Sequence, residues 1–510
     1  MSARPRYPLF LAVDLGTTNV RSIIFDETGG IVSCASRELR IYGSHPQTAE
    51  QVPEEIWEAV LGSMKDCLGS SNVAREDIAV LSLCAQMHGV TVIDRDGNAL
   101  VPLITWLDRR AAPQSELLGA KLGSYEIYRR TGCPVLYSYP CAKILWIRQN
   151  LPRVFAEGYK FLSAKDYVVY RMLGEAYIDR STASGSQLFD IRRLTWDEMM
   201  LKAAGLDEDS LPVLCDETDL VGEVSSELAA HSSLKNGTPI VIGASDAASS
   251  NIGLGVIREG LCAVNIGTSG AVRVASDRPL FDRSRKARFF CYYGTFGRWL
   301  CGGATSNAGI LLRWFRDSFG QIDTEEALRS ELDPLEVMLE KAGGVEPGAD
   351  GLLFVPFLSG ERFPVRDASA TGIMSGLTLR HGRDHVLRSM LEGVSFTLKW
   401  IMDALEESGL ELDEVRVGGG GARSAVWRGI EADVWGKRVS WTKVDEASAL
   451  GAAMLGAVRI GVYGDLAKAS ENMVEVAGEH EPNVENHLRY VSLFERFKRL
   501  YALSKRLRSQ

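Results

Sequence analysis

Residues 11–22 read LAVDLGTTNVRS, and residues 22–25 continue as SIIF. The apolar run breaks at Asp14-Leu15-Gly16-Thr17-Thr18 and then resumes, which is the pattern of a strand, a tight turn and a second strand. Gly16 lets the backbone approach a bound group, Thr17 and Thr18 present hydroxyls and amides, and Asp14 adds a carboxylate at the same mouth. That set suits a phosphate together with its metal ion. In the other half of the chain, residues 264–273, VNIGTSGAVR, repeat the pattern with Asn265, Gly267, Thr268, Ser269 and a second Val-Arg ending. Two such hairpins predict a duplicated fold with a nucleotide held between its halves.

The chain has 510 residues, more than one core usually supports, so two domains are expected. Hydrophobic residues make up 45% and charged residues 24%, which leaves no room for a large disordered region. A net charge of −9 argues against nucleic acid as a partner, since a phosphate backbone demands a basic face. The 9 cysteines are scattered without CxxC pairs, the usage of a reduced, cytoplasmic protein rather than of a disulfide or zinc framework. Near the N-terminus a short apolar run meets Asp14 at once, which reads as a first strand and not as a signal peptide.

Further along, Pro53 opens a helix in which Ile56, Trp57, Val60, Leu61, Met64 and Leu68 recur at helical spacing. Residues 78–84 form a buried strand that stops at Gln86-Met87-His88-Gly89, where open α/β sheets bind ligands. A polar residue satisfied in a turn is the plainer reading of His88. Residues 103–110, LITWLDRR, place Trp106, Asp108, Arg109 and Arg110 together, a mixture that a sugar's apolar face and hydroxyls need. Helices are expected through residues 131–146 and 161–173, with residues 181–185 as loop. A strand at 239–243 runs into Gly243-Ala244-Ser245-Asp246. A carboxylate delivered there between small residues reads as a general base, or as the cap of the helix that follows. Residues 415–417 run into four glycines, 418–421, ahead of a helix, so a flat phosphate-bearing ligand can lie against backbone. No GxxxxGK[ST] is present. Residues 446–460, EASALGAAMLGAVRI, form a helix of small residues that can approach a neighbour closely. Residues 489–508 form a docked terminal helix, not a membrane anchor.

Taken together, residues 14–21, 86–89, 104–108, 243–246, 266–270 and 419–424 resemble, in this order and over nearly the whole chain, the FGGY family of carbohydrate kinases. The resemblance implies an α/β fold of two actin-like (ribonuclease H-like) ATPase domains with the active site in the cleft between them. Residues 8–254 would bind the sugar, and residues 255–510 would bind ATP and end in the docked helix. The implied reaction moves the γ-phosphoryl group of ATP to a sugar or polyol hydroxyl with Mg2+. By position, Asp246 resembles the catalytic base and Asp14 the magnesium-side carboxylate. Thr17, Thr18, Gly267 and Thr268 fall at the phosphates, and Gly420, Gly421 and Ser424 at the adenosine. Asn307, Gly309 and Arg313 lie near the nucleotide by the same comparison. Gln86, Met87, His88, Trp106 and Asp108 fall where the family holds its sugar. The implied partners are a small carbohydrate, ATP and a second copy of the chain in a homodimer, with no nucleic acid and no membrane.

Within the family the sequence is most similar to gluconate kinases, through residues 129–143, RRTGCPVLYSYPCAK, the Arg273 ending of GTSGAVR, and residues 356–364, PFLSGERFP. A sugar acid needs a cation for its carboxylate, and Arg109, Arg110, Lys165 and Arg273 are the candidates. Gln86-Met87-His88-Gly89 is instead the xylulose-kinase form of that motif, and Ala247 stands where gluconate kinases carry Gly. A xylulose kinase, or another ketose or polyol kinase, is therefore the alternative. An actin-like ATPase or a sugar-responsive regulator without kinase activity is more remote, because the sugar-type pocket, both hairpins and Asp246 are all present.

Overall fold

The computed structural model describes residues 7–508. Six strands form the first large sheet: β1 (Leu9–Leu15), β2 (Asn19–Phe25), β3 (Ile31–Glu38), β4 (Ile78–Ala85), β5 (Leu220–Glu223) and β6 (Pro239–Ser245). Seven form the second: β7 (Gly260–Ile266), β8 (Gly270–Ser276), β9 (Phe290–Thr295), β10 (Arg298–Thr305), β11 (Leu412–Gly418), β12 (Arg438–Thr442) and β13 (Val476–His480). Their orders, β5-β6-β4-β1-β2-β3 and β13-β12-β11-β7-β8-β10-β9, are the same plan used twice. In each sheet a central hairpin, β1–β2 or β7–β8, is flanked on one side by antiparallel strands. On the other side lie two parallel strands and an antiparallel edge.

The strands read as continuous apolar runs because both faces of the sheets are covered, as parallel pairing with helices requires. In β1, Leu9, Leu11, Val13 and Leu15 enter one core with α1 (Pro53–Gly69) and α2 (Ala164–Leu173), while Phe10 and Ala12 enter another. That second core is built by α3 (Asp246–Gly253) and by a helix from near the end of the chain. The second half adds α4 (Gly309–Phe319), the long α5 (Arg383–Glu406) and α6 (Ala425–Trp435). Then come α7 (Ala447–Arg459), the helix that reaches back to the first sheet, α8 (Leu466–Met473) and the terminal α9 (Val484–Arg508). The small residues of α7 are explained by its crossing with α3. A Cβ on Gly253 would stand 1.9 Å from the Ala447 carbonyl oxygen, and one on Gly451 would stand 1.9 Å from that of Ser249. Backbone touches backbone there. Tyr490, Phe494 and Phe497 of α9 are buried in the second-half core, so that helix is docked. No described helix is long and apolar enough to cross a membrane.

Three segments differ from the expectations above. Residues 131–146 are not continuous helix: Ser124–Thr131 ends at Gly132, whose φ of 71° is the left-handed stop, and the next helix, Pro140–Asn150, begins at a proline. Between them the chain docks on β9, where the Cys291 N–H donates to the Gly132 carbonyl at 2.9 Å. Lys160–Leu162 is a short strand, and α2 starts only after Ser163, whose hydroxyl and Asp166 form a reciprocal capping box. Residues 181–185 are mostly helical, because Asp179 caps Arg180–Ser184 by accepting the Thr182 N–H.

Candidate active site

Strand ends of the first sheet bring two carboxylates together. Asp14 lies one residue before the end of β1, beside Cys84 of β4, whose thiol donates to it at 3.4 Å. Asp246 is the first residue of α3. The cap of that helix is Ser245, whose hydroxyl accepts the Ala248 N–H. The Asp246 carboxylate accepts the N–H of Ala247 at 2.7 Å and has no other hydrogen bond among the described residues. It is thus available to a ligand, as the general-base reading requires. Burial pushes Asp246 up to about 6 against the pull of the Arg273 guanidinium. Burial and the neighbouring Asp246 push Asp14 up to about 7. Two half-buried carboxylates raised in this way would be neutralised by a divalent cation held mainly by ligand phosphates. That is how Mg2+ is usually bound, with one or two protein carboxylates. Among the described residues no group of three or more His, Cys, Asp or Glu forms a dedicated metal cage.

On the acceptor side, Thr17 Oγ1 donates to Gln86 Oε1 at 2.9 Å and accepts from Trp106 Nε1 at 2.9 Å. Gln86 Nε2 donates to Gln51 Oε1 at 2.8 Å, so the glutamine holds the wall in place. His88 has a φ of 69°, is half-buried, and lies 3.3 Å from the Tyr292 hydroxyl through Nε2. Burial, with the charges of Lys143 and Arg362, lowers its pKa to about 3, so the ring is neutral at physiological pH. Met87 is buried in the core shared with the second half. Asp108 accepts the N–H of Ala49 at 2.8 Å and forms a two-pronged pair with Arg110, so its carboxylate braces the loop from within.

A cavity of about 670 Å³ lies where the family resemblance places the nucleotide. It gathers Gly267, Thr268, Gly309, Arg313, Gly420, Gly421 and Ser424, along with the apolar walls Leu312, Leu339 and Val426. Thr268 Oγ1 accepts from Arg313 Nη2 at 2.8 Å, and Ser424 caps α6 through the Trp427 N–H. Three residues sit apart from this cavity. Thr17 faces the acceptor wall, and Thr18 is exposed with its hydroxyl accepting from Asn19 Nδ2 at 3.1 Å. Asn307 is fully buried and ties down the distant loop at residues 359–360, donating to the Gly360 carbonyl at 2.7 Å and accepting from Ser359.

Of the four candidate cations, Arg110 pairs with Asp108 and Glu50, and Lys165 pairs with Asp179 at 2.5 Å. Arg273 donates to Asn251 and Asn265, and Arg109 to the Ser359 carbonyl. Sequence reasoning passed over Arg362. Its guanidinium lies 5.0 Å over the Trp106 ring and donates only to Ser306 Oγ and the Thr305 carbonyl, with no ion pair among the described residues. A cavity of about 270 Å³ beside it is lined by Arg109, Tyr137, Ser306, Ser359, Arg362 and Arg366, among others. Lys143 and Tyr292 were missed as well. The first is buried without a carboxylate partner, its ammonium donating to the His88 carbonyl at 2.5 Å. The Ser-Gly-Glu-Arg run at 359–362 and the run 129–143, which ends at Lys143, carried the signal for two of them, and Tyr292 had none.

Comparison with known proteins agrees with this geometry. The model of the FGGY family of carbohydrate kinases, N-terminal domain, matches residues 9–253, and that of the C-terminal domain matches residues 262–460. A gluconokinase of Bacillus subtilis is 36% identical over 494 residues, covering 97% of this chain and 95% of that protein. A xylulose kinase of the same species is 30% identical over 497 residues, covering 98% and 97%. The crystal structure of gluconate kinase from Lactobacillus acidophilus superposes with a TM-score of 0.90 at 27% identity, covering 97% of this chain and 98% of that one. The chain belongs to the FGGY family of carbohydrate kinases.

Proposed function

We propose that this FGGY carbohydrate kinase transfers the γ-phosphoryl group of ATP to D-gluconate, giving 6-phosphogluconate, with Mg2+ as the metal. The observation that carries the choice of acceptor is Arg362: a half-buried guanidinium without a carboxylate partner among the described residues, stacked on Trp106 at the edge of the acceptor wall. A guanidinium in that state costs free energy unless an anion joins it, and a sugar-acid carboxylate offers the planar, two-oxygen partner it prefers. Arg109 and Arg366 line the adjoining cavity as well, against two carboxylates, Glu116 and Glu361. The gluconokinase relative supports the same reading.

Phosphoryl transfer asks for positioning and charge neutralisation more than for covalent help. Asp246 takes the proton of the attacking hydroxyl, and its raised pKa brings it nearer the operating range of a base. Thr17, Gln86 and Trp106 hold the wall against which the acceptor lies, and neutral His88 with Tyr292 supplies hydrogen bonds without charge. Gly267, Thr268 and Gly309 face the phosphates, while Gly420, Gly421 and Ser424 border the adenosine. Mg2+, held beside Asp14, would neutralise charge on the phosphates. The free thiols and the metabolite substrates support a cytoplasmic location.

A neutral ketose is the second reading, favoured by the uncharged His88–Tyr292 pair and by the xylulose kinase relative. ADP release with Mg-ATP on gluconate, xylulose, ribulose and glycerol, against an acceptor-free control, separates the two. Turnover on gluconate that falls at least about tenfold in Arg362→Met through KM supports the sugar acid. Turnover on xylulose, indifferent to that change, overturns it.

A further inference from the structure

The loop that carries Arg362 is tied shut at its base. Glu361 and Asp367 pair backbone to backbone, each N–H donating to the other's carbonyl at 2.8 Å, and the Arg366 N–H donates to the Arg362 carbonyl at 2.7 Å. What grips that base comes from the far end of the chain. Asp367 is 8% exposed, and its Oδ2 accepts from the Tyr501 hydroxyl at 2.9 Å and from Arg508 Nη2 at 2.8 Å, both on α9. Its Oδ1 is taken within the loop, by the Ser369 N–H at 3.1 Å and hydroxyl at 2.7 Å. One oxygen therefore shapes the turn, and the other belongs to the helix. The Tyr501 ring adds edge-on contacts, 5.5 Å between centroids to Phe357 and 5.9 Å to Trp400 of α5.

Docking of the helix has a separate anchor. Tyr490 donates its hydroxyl to Glu392 at 2.8 Å and accepts from Arg388 at 2.8 Å, both on α5. At 1.5 Å per residue, that knot lies about 16 Å along α9 from Tyr501. A buried carboxylate that loses its donors is costly, so the contacts of Tyr501 and Arg508 fix where Asp367 sits and, through the backbone pair, where Glu361 and Arg362 sit. Arg362 is the residue of this loop that reaches across to the first half of the chain, with its guanidinium over Trp106. The nucleotide cavity shares no residue with the clamp.

We propose that Tyr501 and Arg508 are positioning residues for the acceptor: through Asp367 they hold the Arg362 guanidinium over Trp106, and so set affinity for the acceptor and not for ATP. The terminal helix is then part of the acceptor site at one remove. This rests on the reading that Arg362 takes the acceptor's carboxylate.

The test compares two variants of the full chain. Tyr501→Phe combined with Arg508→Gln strips both donors from Asp367 Oδ2 and keeps the ring contacts, whereas Tyr490→Phe loosens the other anchor and controls for weaker docking alone. The double variant should raise KM for gluconate at least about fivefold while KM for ATP stays within about twofold, and Tyr490→Phe should leave both KM values in place. Hydrogen exchange in peptides covering residues 359–369 should speed up in the double variant and not in the control. Added to Arg362→Met, the double variant should raise KM for gluconate no further, because it acts through that guanidinium. Exchange arginine for lysine at 508, keeping Tyr501, and KM should return close to that of the unmodified protein. In an enzyme that turns over gluconate, a gluconate KM unmoved by the double variant overturns the proposal alone. So does an equal rise in both KM values, or the same rise in Tyr490→Phe, either of which reduces the clamp to a stabilising contact. A further rise on top of Arg362→Met overturns the route through Arg362. Turnover of xylulose without turnover of gluconate in the unmodified protein refutes the acceptor reading and this proposal with it.

Discussion

The two hairpin turns look like copies, yet they have been put to different work. In the first, four residues lie between the last pair Leu15–Val20; in the second, three lie between Ile266 and Gly270. That single residue moves the arginine. Arg21 stands opposite Asp14 and reaches Glu446 at 3.0 Å, whereas Arg273 stands opposite Ala263, on the face it shares with Asn265. The turns also differ at their first polar position, a half-buried carboxylate at Asp14 and an amide at Asn265. Asn265 is spent on Ser250 and Arg273. Thr17 gives its hydroxyl to the acceptor wall, and Thr268 gives its own to the nucleotide cavity. Duplicated backbones thus leave chemistry to be divided by side chains at matching places.

That division can be broken most severely at the carboxylates. Asp246→Asn should lower kcat by at least ~10²-fold while ATP binding, measured by calorimetry, is retained. Retained turnover would remove Asp246 from its role. Asp14→Asn gives the first turn the amide of the second, and the Mg2+ concentration needed for half-maximal rate should rise by roughly tenfold or more. The paired threonines sharpen the contrast: Thr268→Ala should raise KM for ATP and Thr17→Ala that for the acceptor, each by about 2- to 10-fold. Exchange of those two phenotypes would reverse the assignment.

A smaller effect lies in stability. Asp246 and Asp14 titrate at about 6 and about 7 when folded, against about 3.9 when unfolded. As pH rises from about 4 to about 7 the unfolded chain releases protons that the native state keeps, so stability without Mg2+ falls over that window. At pH 8, Asp246→Asn should therefore unfold at a higher denaturant midpoint than the unmodified protein, by on the order of 1–3 kcal/mol. An unchanged midpoint would mean that the carboxylate is not strained by its burial.

Much of this was legible in the chain because it is written locally. The hairpins announce themselves by apolar runs interrupted at Gly16 and Gly267, and the repeat between them implies two sheets of one plan. Asp246 was readable as base or cap, and only the structure shows that the cap is the hydroxyl of Ser245. What escaped depends on contacts distant in sequence. Arg362 acquires its meaning from Trp106, more than half the chain away, and Asp108 loses its apparent freedom to Ala49 and Arg110. The loop at 132–139 looked helical because its stop at Gly132 serves an approach to β9 that no local pattern reveals.

Where α3 crosses α7, no side chain separates the two backbones. Glycine at such a crossing lets two helices come closer than any side chain would allow, so a side chain added at Gly253 or Gly451 has to force them apart. One partner in the crossing is α3 itself, the helix that starts at Asp246, and Ser448 of α7 donates to that residue's carbonyl at 3.3 Å. A methyl group at either glycine is therefore felt at Asp246, through a helix of only about two turns, although neither position lies in the cleft.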